Sequence, residues 1–298
     1  LAYKLASLSG NSLYFILSSL SALFFFVFCL FTNNFLFFWV SFEVAMLLLL
    51  PLFFENKSSN VNIYYSIILY LVLSALSSGL LYLSFISCSY DFMFSLFLIF
   101  KLGIFPINYW MISIAQNINW VLIFLFFVCT KIPLFSFVYN IFYVNNSDYF
   151  FTLLCISWLT NSLILLNNVS SLKLFFCLSF LSSGYVFILF LSYLNIYFLL
   201  ISSLIFILNG LISSFLFSYC DNSLMNNNNS LFFFMIINYG FPIPITLSLF
   251  YKFISGIGMI ISGSFFLVFF WIFYSIFDFF FIYRFILNSY DTYYYWNV

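Results

Sequence analysis

The sequence contains no histidine, and only 5% of its 298 residues are charged, seven basic and seven acidic. The missing imidazoles exclude the bis-histidine haem ligation of a cytochrome b and the haem and copper ligands of a terminal oxidase. The chain therefore carries no redox centre of its own. It also lacks a Gly-rich phosphate loop, a dinucleotide fingerprint and a basic patch, which excludes the common nucleotide and nucleic-acid sites. Its six cysteines (Cys29, Cys88, Cys129, Cys155, Cys177, Cys220) include no Cys-x-x-Cys, and five lie deep in apolar runs. They read as small core residues, not as a disulfide or metal framework. The single arginine, Arg284, stands near the end of the last apolar run, so a central arginine of the rotary proton-driven type is absent.

What remains is apolar. Hydrophobic residues make up 66% of the chain and aromatics 27%, and the mean hydropathy is +1.20. A water-soluble globule has an apolar share near one half, so the chain reads as an integral membrane protein. Phe stands where most membrane helices use Leu, which reflects coding bias before ring chemistry. The apolar runs are about 20 residues long, as a helix needs to cross roughly 30 Å of hydrocarbon, and they lack the alternation of a membrane barrel.

The predicted fold class is thus an all-α polytopic membrane protein with ten transmembrane helices. They are placed at 12–31, 35–54, 62–86, 91–110, 118–143, 150–167, 173–194, 196–219, 231–254 and 259–286. The connections are short and polar, as in Glu55-Asn-Lys-Ser-Ser-Asn60, Asn145-Asn-Ser-Asp148 and Asn226-Asn-Asn-Asn229. None can fold a separate unit, so 1–298 reads as one transmembrane domain with N-terminal helices over 12–143 and C-terminal helices over 150–286.

With the N-terminus on the inner side, Lys4, Lys57, Lys173 and Arg284 all fall at inner ends, while the loops with Asp91 and Asp148 fall outside. The positive-inside rule then predicts both termini on the inner side. The opening Leu1-Ala-Tyr-Lys4 has neither an Arg-rich presequence nor a cleavable signal, so insertion at the site of synthesis is expected.

Four ionisable residues, Glu43, Lys101, Lys131 and Lys252, sit within the predicted spans. Each central charge costs about 2.5–3.5 kcal/mol to insert, so four unpaired and dry would cost on the order of 10 kcal/mol, as much as a whole domain's stability. They must be paired, neutralised or hydrated. Lys4, Lys57 and Lys173 lie near helix ends and are expected to snorkel to the headgroups. Glu43 reads as the only carboxylate at the centre of a span. A nearby carboxylate favours a protonated lysine and desolvation favours a neutral one, so a lysine held between the two can exchange a proton if its partner moves.

Two spans are not expected to be continuous. In Phe100-Lys-Leu-Gly-Ile-Phe-Pro106 the proline removes a backbone donor and clashes with the preceding turn. In Tyr239-Gly-Phe-Pro-Ile-Pro-Ile245, Pro242 and Pro244 do the same before Lys252. Broken backbone at membrane depth is tolerated where it is buried or lines a hydrated cavity, and paired breaks in the two halves mark transport sites.

These residues carry a resemblance. Phe37-Phe-Trp-Val-Ser-Phe-Glu-Val-Ala-Met-Leu-Leu-Leu-Leu-Pro51, Lys101-Leu-Gly-Ile-Phe-Pro-Ile-Asn-Tyr-Trp110, Thr130-Lys-Ile-Pro133, and Leu166-Asn-Asn168 with Lys173 and Gly184-Tyr185 occur in that order. Together with the Pro-containing break before Lys252 they resemble NADH dehydrogenase subunit 2, of the antiporter-like subunit family of mitochondrial respiratory complex I. The likeness covers nearly the whole chain. It implies an inverted-repeat bundle with two discontinuous helices that moves protons across the mitochondrial inner membrane, coupled to quinone reduction elsewhere in NADH:ubiquinone oxidoreductase. Glu43 would pair with and modulate Lys101, Lys131 would be the central relay residue, and Lys252 would pass the proton outward, with water bridging the gaps. Lys173 is a secondary site residue.

The resemblance further implies that FMN, the iron–sulfur clusters and ubiquinone belong to other subunits, with no cofactor or metal here. Expected partners are the neighbouring antiporter-like subunit 4, the small subunit 4L, the lateral helix of subunit 5, supernumerary subunits, and anionic lipid such as cardiolipin at the Lys57 and Lys173 rim. An organelle-encoded chain with both termini in the matrix is expected.

The sequence departs from the family in several places. Asn108 and Ser182 stand where the family has histidines, Tyr251 replaces the proline before the last relay lysine, and the proline pair is spaced Pro242-Ile-Pro244. Relay steps through those imidazoles cannot operate. The first three helices of the bacterial form and the final helix after Arg284 have no counterpart, so neighbouring subunits are expected to cover those flanks. Two alternatives stay open. A free-standing cation/proton antiporter would exchange ions as the purified chain, and a structural scaffold that has lost pumping would be relieved of Glu43, Lys101 and Lys131 by neutral substitution.

Overall fold

In lipid every backbone donor and acceptor must find a partner within the protein, so long apolar runs become helices. The computed structural model describes residues 2–32, 34–54, 61–86, 90–135, 148–167, 171–191, 196–226, 247–261 and 265–296, and all of their regular structure is helical. In chain order these are α1 (Ala2–Phe31), α2 (Phe35–Leu48), α3 (Leu50–Phe53), α4 (Val61–Ile86), α5 (Tyr90–Leu102), α6 (Asn108–Asn117) and α7 (Trp120–Phe124). A π-helical segment, Leu125–Cys129, leads into α8 (131–135). The rest are α9 (Asp148–Asn167), α10 (Leu172–Leu191), α11 (Ile196–Asn226), α12 (Leu247–Ile261) and α13 (Phe265–Trp296).

Five segments among the described residues are long and apolar enough to cross a membrane: Tyr14–Phe31, Phe35–Phe53, Tyr64–Ile86, Ile201–Asp221 and Phe265–Phe285. Shorter apolar stretches cover Phe92–Leu102, Trp120–Phe135, Thr152–Asn167 and Leu172–Gly184. The protein is an α-helical membrane protein. Its outer surface agrees: Phe265 is 91% exposed and Phe266 78%, and Phe269, Ile272, Ile276 and Phe280 continue the same apolar face of α13. Such a face is stable against acyl chains and not against water.

The described helices also differ from the predicted spans. α1 begins at Ala2, ten residues before the predicted start at 12, and α11 runs on to Asn226, past 219. Hydropathy marks where a helix leaves hydrocarbon, whereas hydrogen bonding carries it further. α12 continues to Ile261, beyond the predicted end at 254, and α13 spans Phe265–Trp296 in place of the predicted 259–286. No proline lies near residue 254 to stop the helix, so Lys252 falls in the second turn of α12 and not near its end. The predicted second break, with Pro242 and Pro244, lies outside the described residues, as does Lys57.

The span placed at 91–110 is two helices. α5 stops at Leu102, Gly103 takes φ +65°, and α6 restarts at Asn108. Only glycine adopts that left-handed conformation without strain, and a Cβ there would also meet Met111 Cγ at 2.6 Å. The Ile104 amide donates to the Ile99 carbonyl at 3.0 Å and the Ile107 amide to Ile104 at 2.9 Å, so the interrupted turn keeps backbone partners.

The span placed at 118–143 holds an unpredicted feature. Over Leu125–Cys129 the helix widens, and the Thr130 amide reaches the Leu125 carbonyl at 3.2 Å, five residues back. Such a bulge inserts one residue into a helix and turns everything after it.

The helices pack into one bundle. α1 pairs with α2, α4 with α5 and α9 with α13, while α10 touches α6, α9, the π segment, α11 and α12. Phe97, Phe126, Phe127, Trp158, Phe176, Phe180 and Phe206 are almost fully buried between them, and Lys131 is among the largest side chains buried to the same degree.

Candidate proton-transfer site

The four charged residues singled out by the sequence do not form one cluster. They divide among three places in the bundle, with α10 common to two of them.

Glu43 lies on α2 and Lys101 in the last turn of α5, just before the break. Their side chains meet, with Lys101 Nζ 3.5 Å from Glu43 Oε1. The lysine side chain is 3% exposed and the glutamate 23%, so one partner is dry and the other keeps a route to solvent or headgroups. Lys101 Nζ also stands 4.8 Å from the centre of the Phe42 ring, whose face attracts a cation. Tyr70 from α4 donates to the Met46 carbonyl and fixes α2 one turn beyond Glu43. At 3.5 Å the ion pair is at the long end of a hydrogen bond, a geometry that small helix movements can make or break.

Lys131 opens α8 directly after the π segment, 1% exposed. The wall facing it is α10. A Cβ built on Gly184 would lie 2.9 Å from Lys131 Nζ and 3.0 Å from its Cδ, so the absence of a side chain at Gly184 makes room for the lysine. Cys177, two turns earlier on α10, reaches the Met111 carbonyl of α6 at 3.9 Å.

Lys252 projects from α12 over the Phe279 ring, 4.2 Å from its centre. Beside it α10, α11, α12 and α13 enclose a cavity of about 60 Å³, lined by Ser182, Ser183, Asn209, Lys252 and Asp278 among others. Asp278 is 6% exposed, and the charge of Lys252 acts on it. Besides Glu43 at the centre of its predicted span, a second carboxylate thus lies buried in an apolar helix, on α13. The signal was present, a lone acid in Phe277-Asp-Phe-Phe280, but its place nearer the end of the predicted span hid its depth.

Lys173, in the first turn of α10, is half-buried. Its Nζ donates to the Ile118 carbonyl at 2.8 Å. Ile118 ends α6 and Asn119 precedes α7, so this carbonyl has lost its place in a helix ladder, and the ammonium supplies the nearest donor. Beside it Trp120 Nε1 donates to Asp221 Oδ2 of α11 at 2.8 Å, and Asp221 and Lys173 attract each other. Trp120 and Asp221 gave no signal in the sequence, because an acid near a helix end looks solvated.

Asn108 is 6% exposed and ties α6 to α9, donating to Thr160 Oγ1 at 3.1 Å and to Asn161 Oδ1 at 3.2 Å. Ser182 lines the cavity beside Lys252. Among the described residues no group of His, Cys, Asp and Glu is arranged to hold a metal ion.

Chemically, this is a set of buried acid and base groups on separate helices, each beside a backbone irregularity or a cavity with polar side chains in its lining. Such groups can hold and release protons when their surroundings shift. The chain matches no known protein-family profile and no curated protein sequence.

Proposed function

We propose that the chain is an antiporter-like, proton-translocating subunit of the membrane arm of NADH:ubiquinone oxidoreductase in the mitochondrial inner membrane. The observation that carries this reading is the Glu43–Lys101 ion pair at a broken membrane helix, with Lys101 Nζ and Glu43 Oε1 3.5 Å apart. Lys131, buried between α8 and α10, is the central relay residue, and Lys252 the last. A ten-span bundle with both termini in the matrix completes the arrangement. In operation, a conformational or electrostatic pulse from quinone reduction in other subunits lengthens the Glu43–Lys101 contact. Lys101, left without its counter-charge in a dry site, then loses its proton along water towards Lys131. FMN, iron–sulfur clusters and ubiquinone remain with the other subunits, and subunits 4, 4L and the lateral helix of 5, with supernumerary subunits and anionic lipid, cover the flanks.

The test is proton uptake per NADH oxidised in vesicles that contain the intact complex, native against Lys131→Met. Electron transfer that persists while proton uptake falls several-fold supports the proposal. Unchanged uptake with an intact complex moves the chain to the scaffold reading.

A further inference from the structure

The polar part of the wall around the cavity beside Lys252 is rich in acceptors. Ser179, Ser182 and Ser183 of α10 donate their hydroxyl hydrogens to the carbonyls of Phe176, Ser179 and Phe180 at 2.9, 2.8 and 2.9 Å. Ser255 does the same to the Lys252 carbonyl at 2.7 Å. With their hydrogens engaged within their own helices, these oxygens face the cavity as acceptors. Asp278 adds a further acceptor: its Oδ1 is buried without a hydrogen-bond partner, while the Tyr274 hydroxyl acts as a donor to its carboxyl group. A buried carboxylate oxygen among acceptors is costly unless a donor enters the space. The cavity of about 60 Å³ has room for roughly four waters, each needing about 10–15 Å³. Lys252 and Asp278 attract each other across this space. Their side chains form no direct ion pair within 4 Å, the contact that Lys101 and Glu43 do make at 3.5 Å.

We infer that this cavity is a second acid–lysine site, holding a small water cluster through which Lys252 and Asp278 exchange a proton. This rests on the reading of the chain as a proton-translocating subunit, and it adds Asp278 as a proton acceptor. In the step, an N–H bond of the Lys252 ammonium breaks and its proton passes to a cavity water. That water gives up another proton to a carboxylate oxygen of Asp278. Ammonium and carboxylate become amine and carboxylic acid, with no change in net charge. Such a transfer moves positive charge from α12 to α13 without importing a counter-ion. Among the described residues, Lys252 from α12 and Tyr274 from its own helix are the titratable groups facing Asp278. The neighbouring α10 and α11 contribute serine hydroxyls, apolar side chains and the Asn209 amide, and no residue of α9 lines the cavity.

Infrared difference spectra between acid and alkaline buffer, recorded on the native assembly, read the protonation of a single carboxyl group. A protonated-carboxyl band sensitive to deuterium exchange is expected in the native protein, absent in Asp278→Asn and displaced along the pH axis in Lys252→Met. Asp278→Asn leaves Lys252 without a counter-charge and can prevent assembly. The double variant Lys252→Met/Asp278→Asn carries neither charge, and it should assemble and lack the band. A band unchanged in both Asp278 variants overturns the inference, as does one that follows sodium concentration and ignores pH, which would mark a metal-cation site. If the band is lost as expected while Lys131→Met leaves proton uptake intact, the proposed function falls and the site stands. The opposite pair of results removes the site alone.

Discussion

Gly184 of α10 lies directly over the Lys131 ammonium, with an ideal Cβ at this glycine only 2.9 Å from Nζ. The glycine is therefore part of the lysine's seat. Gly184→Ala forces the Lys131 side chain to withdraw or α10 to shift, an overpacking worth about 1–3 kcal/mol in a dense interior. The expected outcome is an assembled complex with a lowered melting temperature and a proton-to-NADH ratio between those of the native protein and Lys131→Met. A native ratio in Gly184→Ala would show that the position of the ammonium is not critical.

The Glu43–Lys101 pair is half dry, and its two members differ in what their loss exposes. Lys101→Met leaves a carboxylate that is partly accessible. Glu43→Gln leaves an ammonium whose side chain is 3% exposed. Removing one partner of a buried pair costs about 3–5 kcal/mol, and the accessible carboxylate recovers much of this by hydration. Thermal unfolding in detergent should therefore place Glu43→Gln below Lys101→Met, with the double variant more stable than Glu43→Gln alone. Equal melting temperatures for the two single variants would count against a dry lysine.

Lys173 closes the gap between α6 and α7 through the Ile118 carbonyl. Lys173→Met removes a charge-assisted hydrogen bond of about 1.5–3 kcal/mol and leaves Asp221 with the Trp120 donor alone. Amide hydrogen exchange should accelerate by roughly tenfold or more around residues 118–121 while the Gly103 region keeps its native rate, since about 1.4 kcal/mol is a factor of ten. Uniform acceleration across both regions would indicate global destabilisation instead.

The π segment sets the direction of Lys131. Inserting one alanine between Cys129 and Thr130 adds a residue that the bulge does not absorb and rotates the downstream residues by about 100°, the angle of one residue at 3.6 per turn. Lys131 then leaves Gly184. The variant should retain helical content by circular dichroism, because no hydrogen-bonding residue type is lost, and should pump no better than Lys131→Met. Native pumping in the insertion variant would dissociate the direction of Lys131 from the relay.

The buried charges and the first break are the parts most legible in the sequence, because each breaks a local rule. A lysine or glutamate in an apolar run and a proline after Gly103 contradict their surroundings wherever the chain folds. The π segment breaks no such rule: Leu-Phe-Phe-Val-Cys contains neither glycine nor proline, and its widening answers to packing against α10 and α11. Partner choice was equally hidden. Helices apolar on every side give no stripe to say which face is inward, so nothing in the sequence placed Gly184 against Lys131 or Asp278 beside Lys252. Asp221 and Trp120 escaped notice because their meaning is relational. Neither is unusual alone, and only the crossing of α7 and α11 joins them.

Ser179, Ser182 and Ser183 of α10, Ser255 of α12 and Ser275 of α13 direct their hydroxyl hydrogens to carbonyls three residues back on the same helix. These hydroxyls thus make no bolts between helices. A helix whose polar groups are satisfied from within can slide or turn against its neighbour without breaking a hydrogen bond, opposed only by the refitting of apolar side chains. Around Lys252 and Asp278 the bundle is built as a sliding joint, whereas Asn108, Lys173 and Trp120 rivet α6 and α7 to their surroundings.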